Sequence, residues 1–187
     1  MSFRLAAYAV CLEDGRVLLA RHVVGNGETT WTLPGGGVEH AEDPFDAVTR
    51  ELREETGYDG VVERLLGVDS RVIPAAAARA GAEHQNVGIF YRVRVASGRL
   101  RAELNGATVE PTWTMIPQVA YLRRSSLVDT GLALAQVSPA RVMGPPVCHE
   151  HGTGLDPVAG RVLMVTDDRV AGQSVAGLPW RGFWRCR

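Results

Sequence analysis

Four residues of one short segment, Arg50, Glu51, Glu54 and Glu55, carry the clearest chemistry in this 187-residue chain. An ideal helix advances about 100° per residue, so with Arg50 at zero, Glu54 lies at about 40°, Glu51 at about 100° and Glu55 at about 140°. Three carboxylates on one face repel and raise one another's pKa unless a cation neutralises them. Hard oxygen ligands suit Mg²⁺, with Mn²⁺ as the alternative, and Mg²⁺ keeps several of its waters. A water made more acidic by such an ion can attack phosphorus while the ion offsets charge on the phosphate oxygens. The same residues also read as a solvated helix face with weak ion pairs, and spacing alone balances the two readings.

The elements that position these groups are marked in the sequence. Asp43 as N-cap, Pro44 at the first helical position and Gly57 as the stop predict a helix over residues 43–57. Phe45, Val48 and Leu52 project at roughly 160° to 220° and should pack it on a sheet. Ala47, at about 60°, should sit among the carboxylates and leave room for a ligand. Upstream, Gly35-Gly36-Gly37 follows Pro34 and can bring backbone carbonyls or amides close to the same ion or phosphate. Two apolar runs within residues 3–22 flank Glu13-Asp14-Gly15 and read as an antiparallel hairpin. Trp31-Thr32-Leu33 is a short strand, residues 61–73 and 87–95 are rich in β-branched residues, and a further strand ends near Trp113. Residues 127–137 have the spacing of a closing helix. Strands, a helix, more strands and a second helix predict an α/β sandwich with a mixed β-sheet.

Composition narrows the function classes. Hydrophobic residues make up 45% and charged residues 22%, as in ordinary globular domains. No apolar run could span a bilayer and no signal-like leader opens the chain, so no membrane is expected and the cytoplasm is the default address. A net charge of −1 offers no field for a stable nucleic-acid complex, and a small phosphorylated ligand fits better. All 20 basic residues are arginine, which excludes lysine Schiff bases and lysine-dependent phosphate loops. Cys11, Cys148 and Cys186 are odd in number and widely separated, which points to a reducing compartment. After residue 137 the composition changes: five of ten prolines and seven of 21 glycines fall in residues 138–187. That divides the chain into a domain, 1–137, and a Pro/Gly-rich C-terminal extension, 138–187, expected to be poorly structured, in which 161–166 could pair as a strand. The run Cys148-His149-Glu150-His151 within it is a weak metal-site candidate.

From Gly36 the chain reads GGVEHAEDPFDAVTRELREETGY: Gly36, five residues, Glu42, seven residues, Arg50-Glu51-Leu52, one residue, Glu54-Glu55, one residue, Gly57. This resembles the Nudix box, with Tyr58 where that family usually has an aliphatic residue, and the resemblance covers residues 3–137. It implies a Nudix-like α/β/α sandwich and an Mg²⁺-dependent pyrophosphohydrolase acting on a nucleoside diphosphate derivative or a nucleoside triphosphate. It further implies Glu51, Glu54, Glu55 and the Gly35 carbonyl as metal ligands, Arg50 as orienter of the glutamates, and a more structural Glu42. A distal acid often joins such sites, Glu110 being slightly favoured over Glu103, and the general base lies open between Glu51 and Glu110. Pro74, sixteen positions after Tyr58, resembles a spacing of ADP-ribose pyrophosphatases, but its ordinary reading, a strand terminator at Ile73, takes precedence. His84, Gln85 and Asn86 could read a base or sugar, Tyr91 and Trp113 could stack on one, and Arg99, Arg101, Arg123 and Arg124 could meet phosphate. Sheet core and exposed surface are the ordinary readings of these last residues. The alternatives are a non-catalytic nucleotide-sensing Nudix domain that regulates a partner, and a prenyl diphosphate isomerase, for which no convincing cysteine stands near the box. A homodimer is compatible with the sequence.

Overall fold

The computed structural model describes residues 2–23, 27–76, 81–103, 108–137 and 161–164, the last by backbone alone. In chain order the elements are β1 (Ser2–Val10), β2 (Leu12–Glu13), β3 (Arg16–Val23), β4 (Thr29–Thr32), β5 (Gly35–Gly37), α1 (Pro44–Thr56), β6 (Tyr58–Ile73), β7 (His84–Gly98), β8 (Thr108–Met115), α2 (Ile116–Val119), α3 (Ser126–Leu134) and β9 (Arg161–Met164). A mixed sheet has the order β5-β1-β7-β6-β9, with β1 and β7 parallel and the other neighbours antiparallel. In a second, antiparallel sheet β3 pairs with β2, β4 and β8.

Two cores lie on opposite faces of β1, and its continuous apolar run is explained by burial on both. Ala7, Ala9 and Cys11 pack with Ala47, Val48 and Leu52 of α1 and with Val93. Tyr8 and Val10 pack on the other side with Phe90, Leu19, Leu33 and Leu132 of α3. The expected α/β sandwich with a mixed sheet is therefore the fold, with α1 on one face of the sheet and α3 on the other.

Several expectations change in detail. The hairpin of residues 3–22 shrinks to Leu12–Glu13 against Arg16 and Val17, turned by Asp14 and Gly15 with φ of 47° and 72°. Positive φ at both central residues is what a tight two-residue hairpin turn requires. Before that turn β1 enters the other sheet, because a strand buried on both faces needs a neighbour on each side, and β5 and β7 supply them. Ala47 is fully buried in the α1 core rather than standing open among the carboxylates, since α1 wedges against β1, β5 and β6 together. Phe45, expected in the packing stripe, is half exposed and meets Tyr91 edge-on at 6.0 Å. The closing helix ends at Leu134, three residues early: Gln136 adopts a φ of 59° and the Val137 amide bonds the Leu132 carbonyl, which closes the last turn. Within the extension, 161–164 pair with Gly67–Ser70 of β6. Cys148-His149-Glu150-His151 lies outside the described residues. Among the described residues no helix is long and apolar enough to cross a membrane.

Candidate functional site

Helix α1 and strand β5 build the site, and each is fixed by local chemistry. Asp43 caps α1 by accepting the Phe45 amide at 2.8 Å, Pro44 opens it, and Gly57 closes it with φ 75° while its N–H bonds the Arg53 carbonyl. Strand β5 is three glycines paired with Tyr8, Ala7 and Ala6. A Cβ on Gly35, where φ is 144°, would stand 2.3 Å from the Ala7 carbonyl oxygen. One on Gly36 would stand 2.4 Å from Oε1 of Glu51. The glycines thus let β1 approach from one side and a helix carboxylate settle on the backbone from the other.

Arg50 is the hub. Its Nε and Nη2 hold Glu42 bidentately at 2.8 and 3.0 Å, Nη2 also bonds the Gly37 carbonyl at 3.1 Å, and Nη1 reaches Glu51 at 3.0 Å and Glu54 at 3.1 Å. A guanidinium has five N–H donors, and these five bonds engage them all. Glu42 also accepts the Glu39 amide at 2.9 Å, and with Arg50 beside it its carboxyl is pushed down to about 2. Glu42 therefore anchors the loop before α1 to the guanidinium that gathers the catalytic candidates.

The carboxylates differ in environment. Glu54 is half exposed, whereas the Glu51 side chain is largely covered and burial raises its pKa, with Arg50 opposing the shift. Glu55 is 6% exposed; its Oε2 accepts the Gly35 amide and its Oε1 the Thr108 hydroxyl, each at 2.9 Å. Burial nevertheless pushes Glu55 up to about 7, helped by the nearby charges of Glu51 and Glu103. Glu103 in turn accepts the Thr108 amide at 3.1 Å, so one residue tethers two acids.

The donor chemistry fits a hard divalent cation. All three candidates offer oxygen, two are raised by burial, and the Cβ-free surface at Gly36 gives Glu51 its place. As arranged, Glu55 turns inward, and among the described residues no three acidic, histidine or cysteine side chains converge as a metal cluster. The structure thus gathers Arg50, Glu51 and Glu54 directly and ties Glu55 to Gly35.

Of the other expected residues, Glu110 pairs with Arg21 across β3 and β8 at 2.7 Å. Trp113 belongs to the α1 core, donates to the Tyr58 hydroxyl at 3.3 Å and carries Arg16 over its ring, and Tyr91 packs in the same core. Arg123 and Arg124 pair with Glu28 and Asp129. Pro74 follows β6, as a terminator does. Sequence reasoning missed Thr108, Tyr8 and Arg4. The charge of Arg4 acts on Glu51 and on Tyr8, whose hydroxyl also feels Glu51 and Glu55. Only tertiary pairing brings these residues near the helix.

Comparison with known proteins agrees with this architecture. An RNA pyrophosphohydrolase of Halorhodospira halophila (strain DSM 244 / SL1) is 47% identical over 62 residues, 33% of each chain. This chain spans about a third of the length of the curated relatives it matches first. A MutT NUDIX hydrolase from Burkholderia pseudomallei superposes with a TM-score of 0.55 at 27% identity, covering 74% of this chain and 100% of that one. A NUDIX hydrolase from Nitrosomonas europaea reaches a TM-score of 0.62 at 19% identity, over 76% and 97%, a likeness of fold. The family model described as NUDIX domain matches residues 2–127, and the chain belongs to the Nudix family.

Proposed function

We propose that the chain is an Mg²⁺-dependent pyrophosphohydrolase that cleaves a diphosphate linkage in a nucleoside diphosphate derivative or nucleoside triphosphate. The observation that carries this reading is the laying of a helix-borne carboxylate, Glu51, on the bare backbone of Gly36, beside Glu54 and within one arginine's grasp. A surface ion-pair face needs no such glycine. The Halorhodospira relative is named for a pyrophosphohydrolase activity, which agrees in reaction type.

In this reading Glu51, Glu54, Glu55 and the Gly35 carbonyl would hold the ion, with Mn²⁺ able to substitute. The ion supplies Lewis acidity toward phosphate oxygens and water. The chain's part is positional and acid–base. Arg50 fixes the carboxylates, and Thr108 and the Gly35 amide hold Glu55. A carboxylate takes the proton as water oxygen bonds phosphorus and the bridging oxygen leaves with the second phosphorylated product. Glu51, Glu110 and Glu103 are the candidates for that base. The Thr108 tether supports Glu103 as the distal acid, whereas Glu110 is engaged by Arg21.

A screen of nucleoside diphosphate derivatives and triphosphates with Mg²⁺ tests the proposal, with Glu54→Gln as control. Turnover in the parent and a loss of orders of magnitude in the folded variant are expected. Binding without turnover in both proteins would refute catalysis and establish a nucleotide sensor. Glu103→Gln is expected to lower kcat by about 10²-fold or more and Glu110→Gln by less than about tenfold; the reverse order would return Glu110 to the site.

A further inference from the structure

Strand β1 pairs with β7 only as far as Val10 and Arg92; the chain then turns into β2 of the other sheet, while β7 runs on to Gly98. Among the described residues no strand covers that edge of β7 beyond Arg92. A cavity of about 190 Å³ opens in the fork between the two sheets. Its floor is Cys11, Val93 and Trp113, which belong to the core under α1. Its rim carries Arg92, Arg94, Glu63 and Glu13. None of these residues belongs to the carboxylate site. A cavity of about 150 Å³ already admits a benzene-sized molecule, so the space suffices for a small ligand. Burial pushes the Cys11 thiol up to about 12, and the floor therefore bears no charge near neutral pH.

The rim is charged but loosely paired. A β-bulge makes Glu63 the extra residue between Val62, opposite Val93, and Arg64, opposite Arg92. Bulges re-aim side chains, and this one sets a single carboxylate 3.6 Å from Arg92 Nε and 3.5 Å from Arg94 Nε. Both distances exceed an ordinary N–H···O bond. Arg92 also donates to the Leu12 carbonyl at 3.0 Å, but Arg94 makes no hydrogen bond among the described residues. Glu13 is exposed and, among the described residues, has no ion-pair partner. Two cationic and two anionic side chains thus ring an apolar floor. A phosphate there would meet both glutamates, whereas a zwitterion offers each charge its opposite.

We propose that this cavity is a second ligand site, which takes a small aliphatic α-amino acid with its carboxylate on Arg94 and Arg92, its ammonium on Glu13 and its side chain against Cys11, Val93 and Trp113. The planar fork of a guanidinium matches a carboxylate. The site requires neither metal nor nucleotide, so it stands apart from the pyrophosphohydrolase reading.

Titration calorimetry of the full chain with L-leucine, without Mg²⁺ or nucleotide, tests the assignment. A Kd of about 1 mM or tighter is expected. 4-Methylpentanoate lacks the ammonium of leucine and 3-methylbutylamine lacks its carboxylate, and each should bind at least about tenfold more weakly. Arg94→Gln and Glu13→Gln change exposed side chains and should each weaken leucine binding by about tenfold. Glu54→Gln should bind leucine as the parent does. Absence of binding by the folded parent, analogues that bind as tightly as leucine, or an affinity unchanged in Arg94→Gln overturns the assignment. Loss of leucine binding in Glu54→Gln, or displacement of leucine by an equal concentration of inorganic phosphate, overturns it as well.

Discussion

Gly36→Ala separates catalysis from stability. The backbone of Gly36 has no positive φ, so alanine is conformationally acceptable there. Its Cβ, however, would lie 2.4, 2.7 and 2.5 Å from Oε1, Oε2 and Cδ of Glu51, where ordinary contact begins near 3.4 Å. The carboxylate must retreat by the difference, 3.4 − 2.4, about 1.0 Å. It is the far end of a flexible side chain, so the fold yields cheaply, and a Tm change of no more than a few degrees is expected. A displacement of about 1 Å in a catalytic constellation can cost about 10²-fold, or roughly 2.7 kcal/mol of transition-state stabilisation. Steady-state kinetics on the best substrate of the screen, with thermal denaturation alongside, gives both readouts. Gly35→Ala is the contrast: its Cβ meets the Ala7 carbonyl at 2.3 Å and the Tyr8 Cα at 2.8 Å, and strand backbone cannot swing aside. That variant should lose about 2–5 kcal/mol of stability. A Gly36→Ala enzyme within threefold of parental kcat would refute the reasoning, since Glu51 would then not need its seat on β5.

Three further outcomes follow from the same geometry. Arg50→Lys retains the charge but cannot reproduce the bidentate grip on Glu42 or the five donors, so denaturant melts should show a loss of about 1–3 kcal/mol, with kcat falling at least tenfold. Because Glu55 titrates at about 7 in the fold and at the ordinary 4.5 when unfolded, the native state holds the extra proton between those values. Stability of the metal-free protein should therefore decline as pH rises from about 4.5 to 7, by at most on the order of 3 kcal/mol, and Glu55→Gln should flatten that slope. Thr108→Val removes a donor to the same carboxylate; it should cost about 1–2 kcal/mol and move the Glu55 titration upward, as NMR of the carboxyl carbon can register.

The helix of the site was legible because its boundaries are local chemistry: Asp43, Pro44 and Gly57 act on their own neighbours, and the structure starts and stops α1 at them. The clustering of Arg50, Glu51 and Glu54 was legible for the same reason, since a helical repeat settles it. The sheet partner of β1 was not. An apolar run buried on both faces looks alike whether its neighbour is the next strand or one eighty residues away, and β1 pairs with β7. Ala47 was misjudged because a helical wheel gives direction but not the number of strands pressing on the helix. Thr108, Tyr8 and Arg4 carry no local pattern; each matters through a partner more than forty positions distant, Glu55 for Thr108, Asn86 for Tyr8 and Glu51 for Arg4.

The pairing of 161–164 with Gly67–Ser70 also orders events during synthesis. Four of the five strands of the mixed sheet are translated by residue 98, and the sheet can assemble from them while the fifth is still unmade. Until ribosomes reach β9, the hydrogen-bonding edge at 67–70 lacks that partner, and an unpaired strand edge is a template on which other chains can pair.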